Sequence, residues 1–441
     1  MRPLDLRPRS SDEYEPVPPS PVVTEAARRA RDAMAELVRR GAVTRRDLLR
    51  SAAASAAVLS ALAACTREDH AARAAAEPGG TYDVPGSTTT STVSASTTNA
   101  SSPSTTIDPA AASQALDHSG RVMDVQLHFL DPERNDGTFG AGFPQAACGE
   151  PDAELCFAQD RFLDLVFAQS DTTVGVLSGL PFATKDSPLA LDVMERARVQ
   201  LAAQGGERKL LLQAPVFPGS APLGSVLEQM ASDAATYPVA AWKTYTHSPT
   251  AYRLDDDRGD AMLAQAVALG RPIVSVHKGL AGEAAAASPA DVGPAAAAHT
   301  DAVIVVYHSA YETGVPEGAY RADLPSSQLR GVDRLVASLE AAGIGPSGNV
   351  YAELGSTWFN LTRDLDAAAH VLGKLLACLG PERIVWGTDS IWYGSPQGQI
   401  DAFRSFEISE RYQERYGYPA LTAATKELIL GGNAARLYAI S

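Results

Sequence analysis

Four cysteines in 441 residues are too few to build a disulfide scaffold. Basic residues are in the minority, 37 Lys and Arg against 52 Asp and Glu, for a formal net charge of −15 and a pI near 5.0. A nucleic-acid partner needs a clustered basic face, and none occurs outside the N-terminal region, so that class of function is set aside. The apolar run Ser51–Ala64 covers about 14 residues, short of the ~20 that span a bilayer. No Gly-x-Gly-x-x-Gly follows the first strand pattern, which leaves a doubly wound open sheet without support. What is present is ordinary for a globular protein: 45% hydrophobic and 20% charged residues.

Residues 1–64 read as an N-terminal region carrying an address. Thr44-Arg45-Arg46-Asp47-Leu48-Leu49-Arg50 precedes the apolar run and resembles a twin-arginine export signal. Leu62-Ala63-Ala64-Cys65 resembles a bacterial lipobox, which would lipidate Cys65 and place the protein on the outer face of a bacterial membrane, or free outside it. An Ala-rich helix is the plainer reading of the same run. Residues 65–117 include Ser87–Thr106, almost wholly Ser, Thr, Ala, Asn and Val, which cannot bury enough apolar surface to order itself and reads as a tether.

Residues 118–441 alternate between two patterns. Short β-branched runs read as buried parallel strands: Arg121–Leu127, Thr173–Gly179, Lys209–Pro215, Val239–Tyr245, Pro272–His277, Ala302–His308, Asn349–Leu354 and Arg383–Thr388. Ala- and Leu-rich segments of helical length lie between them, among them Asp186–Gln204, Leu223–Tyr237, Asp257–Gly270, Gln328–Ala342 and Asp364–Leu379. Eight such units predict an α/β fold, the (β/α)8 TIM barrel. Polar residues then gather at one end. His128 follows the first strand, Lys243 sits in the fourth, and His277, His308 and Asp389 close the fifth, sixth and eighth. A barrel brings those ends to one mouth. In Asp124-Val125-Gln126-Leu127-His128, strand alternation puts Gln126 and His128 on one face with Asp124 behind them.

With Pro272–His277, Val305–His308, Ile384–Asp389 and Gly431–Tyr438, this segment resembles the amidohydrolase superfamily, in its amidohydrolase-related branch. The resemblance implies a metal-dependent barrel enzyme. His128, His277 and Asp389 would bind one divalent metal, with zinc expected, and His308 would contact the substrate or its developing oxyanion. Asp389 would also move the proton of a metal-activated water. The family's first strand usually carries His-x-His, and here the first position is Gln126. That amide is a weak fourth ligand, a group behind the ligands, or a sign of lost activity. Three functions follow: hydrolysis of an ester, lactone or amide; non-oxidative decarboxylation of a carboxylated aromatic; or ligand binding without turnover. Each takes a small molecule.

Lys243 and His247 are candidates to meet an anionic group of that substrate, or to make structural pairs. Glu353 is an acid inside an apolar strand and needs a partner or a pocket. Trp392, with Trp358 and Tyr393, would form an aromatic rim. Phe129–Phe157 is a long insertion of the kind that forms lids, and Cys148 and Cys156 within it can close a disulfide after export. Cys378 reads as an unpaired core residue.

Overall fold

The computed structural model describes residues 19–440 apart from 42–43, 45–47, 49–50, 74–75, 91–103, 117–119, 136–138, 183–186, 248–250 and 281–284. Eight parallel strands run in sequence order around one sheet. They are β1 (Val122–Leu127), β2 (Thr172–Ser178), β3 (Lys209–Val216), β4 (Val239–Tyr245), β5 (Ile273–His277), β6 (Val303–Tyr307), β7 (Val350–Glu353) and β8 (Ile384–Val385). Bonds from Val125 N to Trp386 O, Asp389 N to Gln126 O and His128 N to Ser390 O carry the ladder from the segment after β8 back to β1. The fold is the expected (β/α)8 barrel. Strand limits fall within a few residues of those expected, β8 being the shortest because its apolar run gives way to Gly387.

Two layers of helix cover the barrel. The N-terminal layer holds α1 (Pro21–Arg39), α2 (Ala52–Ala72) and α3 (Pro109–Leu116). The strand-linking layer holds α4 (Leu191–Ala203), α5 (Leu223–Thr236), α6 (Asp257–Ala268), α7 (Val292–Ala298), α8 (Gly331–Ala341), α9 (Leu365–Leu379) and α10 (Gln397–Ser405). Met123, Val125, Val174, Val176, Ala241, Val305 and Val385 form an apolar cluster inside the barrel, separate from the larger core between strands and helices. Above it a polar layer is fully bonded. Gln213 Nε2 donates to Ser178 Oγ (3.0 Å) and Tyr307 Oη (2.7 Å), Ser275 Oγ donates to Gln213 Oε1 (2.9 Å), and Tyr307 Oη donates to Val125 O (2.5 Å).

The N-terminal third differs from its reading. Residues 66–72 continue α2 beyond Cys65, whose thiol is buried. Ser87–Thr90 pairs antiparallel with Ser104–Ile107, and Gly80–Tyr82 pairs antiparallel with Phe406–Ile408. The Tyr82 hydroxyl donates to Thr362 O at 2.8 Å. The entropic case for a tether counted only the segment's own apolar surface, whereas its two described ends, Ser87–Thr90 and Ser104–Ile107, pack against α2. Arg45, Arg46 and residues 91–103 lie outside the described residues. No described helix is long and apolar enough to cross a membrane.

Candidate active site

The C-terminal ends of β5 to β8 carry the strained backbone of the molecule. Leu280, His308, Ser309, Ala310, Ser356 and Asp389 all have positive φ, between 49° and 62°. Non-glycine residues take that conformation only when their surroundings impose it. Here it turns His308 and Asp389 out of their strands and into the mouth.

Asp389 is buried and receives four side-chain donors. Oδ1 receives Gln126 Nε2 at 3.0 Å, His128 Nε2 at 3.1 Å and Trp392 Nε1 at 3.1 Å, while Oδ2 receives Ser356 Oγ at 2.5 Å. Four donors match the lone-pair capacity of a carboxylate. Burial opposes the charge, but the bonds and positive potential of His128, with His308 and Ser356, outweigh it and hold the carboxyl below its ordinary range. His128 directs its Nε2 at Asp389 and its Nδ1 away from it. That atom is buried and has no partner.

A second chain of bonds fixes the tautomers of His308 and His277. His308 Nδ1 lies 2.8 Å from Gly355 O, which can only accept, so Nδ1 carries the proton. Burial keeps the His308 ring neutral, pushing it down to about 4. Its Nε2 must then accept from His277 Nδ1 at 3.1 Å. Burial, with His308 and His247 beside it, also holds His277 well below its ordinary value. A lone pair is left on His277 Nε2, again buried and unpartnered. His247 stands with its ring centre 4.8 Å from that of His277 and is pushed down to about 4 by burial, then by Lys278 and Lys243. Lys243 Nζ lies 3.5 Å from the centre of the Tyr307 ring.

Glu353 closes the network from below. It accepts His308 N at 2.9 Å and Gly355 N at 2.5 Å. Burial raises it to about 8, so near neutral pH it holds a proton. A Cβ placed on Gly355 would meet Gln126 Oε1 at 2.2 Å and Glu353 Oε1 at 2.5 Å, so the two oxygens crowd one point. Gln126 thus has its amide donor on an anionic acid and its amide oxygen beside a protonated one.

The metal set expected from the sequence is not brought together. Gln126, His128 and Asp389 meet, but His277 is engaged with His308, and no three His, Cys, Asp or Glu side chains converge among the described residues. A cation at Asp389 would compete with three donors at Oδ1 or with the Ser356 hydroxyl at Oδ2. The residues present do not fit the implied site. The role expected of His308 changes with it, because both its ring nitrogens are occupied. On Asp389 three donors crowd Oδ1, while Oδ2 has only the Ser356 hydroxyl.

Other expectations moved for simpler reasons. Asp124 anchors the backbone beside Gln126 and Asp389. Its carboxylate accepts the Gln126 N–H at 3.1 Å together with the Thr388 N–H and hydroxyl, where register shifts interrupt the pairing of β1 with β2. Trp392 is buried, stacked on His128 (5.4 Å) and Phe143 (4.8 Å), and so belongs to an inner wall. Trp358 is also buried, donating to Gln399 O at 2.9 Å. Cys148 and Cys156 form a disulfide in the insertion that supplies Phe143, with Cα atoms 5.7 Å apart. Ser356, Gly355, Gln213 and Tyr307 were missed. Short polar residues in strands carry no periodic signal, and the left-handed turn at Ser356 has no glycine to mark it.

A family profile described as amidohydrolase matches residues 124–440. Among solved structures, the chain is similar to 2,6-dihydroxybenzoate decarboxylase from Rhizobium, at 16% identity and TM-score 0.45, over 73% of this chain and 99% of that one. It is similar to a putative 2-pyrone-4,6-dicarboxylic acid hydrolase from Pseudomonas putida, at 17% identity and TM-score 0.42, over 73% and 98%. A 5-carboxyvanillate decarboxylase variant from Novosphingobium aromaticivorans, solved with bound manganese, matches at 12% identity and TM-score 0.43, over 73% and 98%. No curated protein matches.

Proposed function

The chain belongs to the amidohydrolase family, and on that premise we propose that it is a hydrolase of small esters or lactones whose water is activated by His277. One observation carries the reading. The bond sequence from Gly355 O through His308 to His277 leaves a lone pair on His277 Nε2, in a buried ring that stays neutral near pH 7. A positioned neutral imidazole can take a proton, and the burial that weakens it as a base makes its protonated form a strong acid toward the leaving group.

In the step this supports, a water oxygen adds to the carbonyl carbon while His277 Nε2 takes its proton. The new positive charge is shared with His308 through the Nδ1–H bond. The same proton then passes to the leaving alkoxide as the carbon–oxygen bond breaks. Lys243, held over Tyr307, supplies positive potential for a substrate carboxylate or the developing oxyanion. Asp389, with its four donors, keeps His128 and Trp392 in place as the opposite wall. Decarboxylation of an aromatic acid requires a chelated carboxylate, for which the donors do not converge.

The test is an assay of aryl esters and lactones beside carbon dioxide release from hydroxybenzoates. Hydrolysis is expected, with His277→Gln lowering kcat about 100-fold or more. Carbon dioxide release without hydrolysis would overturn the reading.

A further inference from the structure

The run Ser51–Ala64 has the composition of a leader, but its surroundings are those of a core. Thirteen consecutive residues of α2, Ala53 through Cys65, are buried. A helix covered on every face has neighbours all round it. These are α1, α3, α10 and the strands Gly80–Tyr82, Ser87–Thr90 and Ser104–Ile107. Alanine and serine let those elements approach closely, which longer side chains would prevent.

The hairpin of α1 and α2 is also locked by charge. Arg29, itself buried, makes a two-pronged bond to Glu68 at 2.9 and 2.6 Å and a third bond to Glu25 at 2.9 Å. The end of α2 is tied to α9 by His70 Nε2, 3.1 Å from Asp366 Oδ2. On the other flank Ser55 bonds Asp401 of α10, which also receives Gln397 Nε2 at 2.9 Å. The α10 helix starts four residues after Tyr393, so α2 backs the segment that carries Asp389 and Trp392.

We propose that α2 is a resident core element of the working protein, retained together with α1, whose role is to seat α10 and the Asp389 segment. A leader cut at Ala64–Cys65 would take with it α1 and most of the buried length of α2. It would expose the faces of α3 and α10 that they cover.

The experiment uses the full chain, expressed in a bacterium with a working twin-arginine pathway and recovered from both soluble and membrane fractions. Intact mass and N-terminal peptide mapping of the active protein should show residues 21–72 present, with Cys65 labelled by a thiol reagent only after denaturation. Active protein that begins at Cys65 and carries lipid would overturn the proposal. A second measurement uses protein made without export. Ala61→Glu puts a charge in the buried run and should lower Tm by about 5 °C or more. The same change at exposed Ala72 should leave Tm unaltered. An Ala61→Glu protein with the parent's Tm would also overturn it, and if that variant does not fold the mass measurement still decides.

Discussion

The barrel mouth and the N-terminal layer are both closed to solvent, but they are held by opposite means. At the mouth, a few polar atoms on strained backbone bond one another: four donors on Asp389, His277 on His308, and a protonated Glu353 beneath them. In the layer, a run of alanines contributes almost no specific bond and is fixed by contact on every side. Loss of one atom at the mouth should therefore cost chemistry, and change in the layer should cost stability.

The largest effect is expected from Asp389→Asn. An amide with its oxygen toward Gln126, His128 and Trp392 keeps those three bonds and turns Ser356 from donor to acceptor, but it removes the negative charge the four donors surround. Turnover should fall about 1,000-fold or more while the circular dichroism spectrum is kept. A variant with near-normal kcat would show that the carboxylate does not organise the mouth.

A change of a few kcal/mol is expected in the pH dependence of stability. Glu353 titrates at about 8 in the folded protein against 4.5 for the free group, with burial as the cause. Between those values the folded state holds a proton that the unfolded state has released, so stability falls as pH rises from about 5 to 8. Denaturant unfolding of Glu353→Gln should lack that slope relative to the parent. Parallel pH profiles for the two proteins would contradict the protonated assignment.

The smallest effects belong to the periphery. Cys148→Ser should cost about 2 kcal/mol through the opened loop, free the Cys156 thiol, and leave kcat within a few-fold. Arg29→Ala should cost about 1–2 kcal/mol in the layer, since Glu68 is already partly exposed, and leave KM unchanged. A variant at Arg29 that altered KM with stability intact would erase the contrast between the two regions.

The mouth was legible because buried histidine and aspartate are costly to place without a use. Four such positions at strand ends made a pattern that survives small errors in strand limits. Its internal bonding was not legible. Strand alternation cannot anticipate the register shift after Asp124, nor can it say which nitrogen of His308 meets Gly355. The layer was misread for the reverse reason. Alanine is compatible with a leader, a surface helix and a core helix, and only its neighbours decide among them. Gln126 shows both limits in one residue. The sequence marked it as a departure, but its meaning depends on Asp389 at one end of the amide and Glu353 near the other.

The account rests on that amide and its companions occupying Asp389 where a cation would otherwise bind. The most direct measurement is calorimetric titration of the chelator-treated protein with zinc and manganese, beside Gln126→His. The parent is expected to take up no stoichiometric metal at micromolar concentrations and to keep its turnover, while Gln126→His gains a site. One equivalent bound tightly by the parent, and lost in Asp389→Asn, would contradict it.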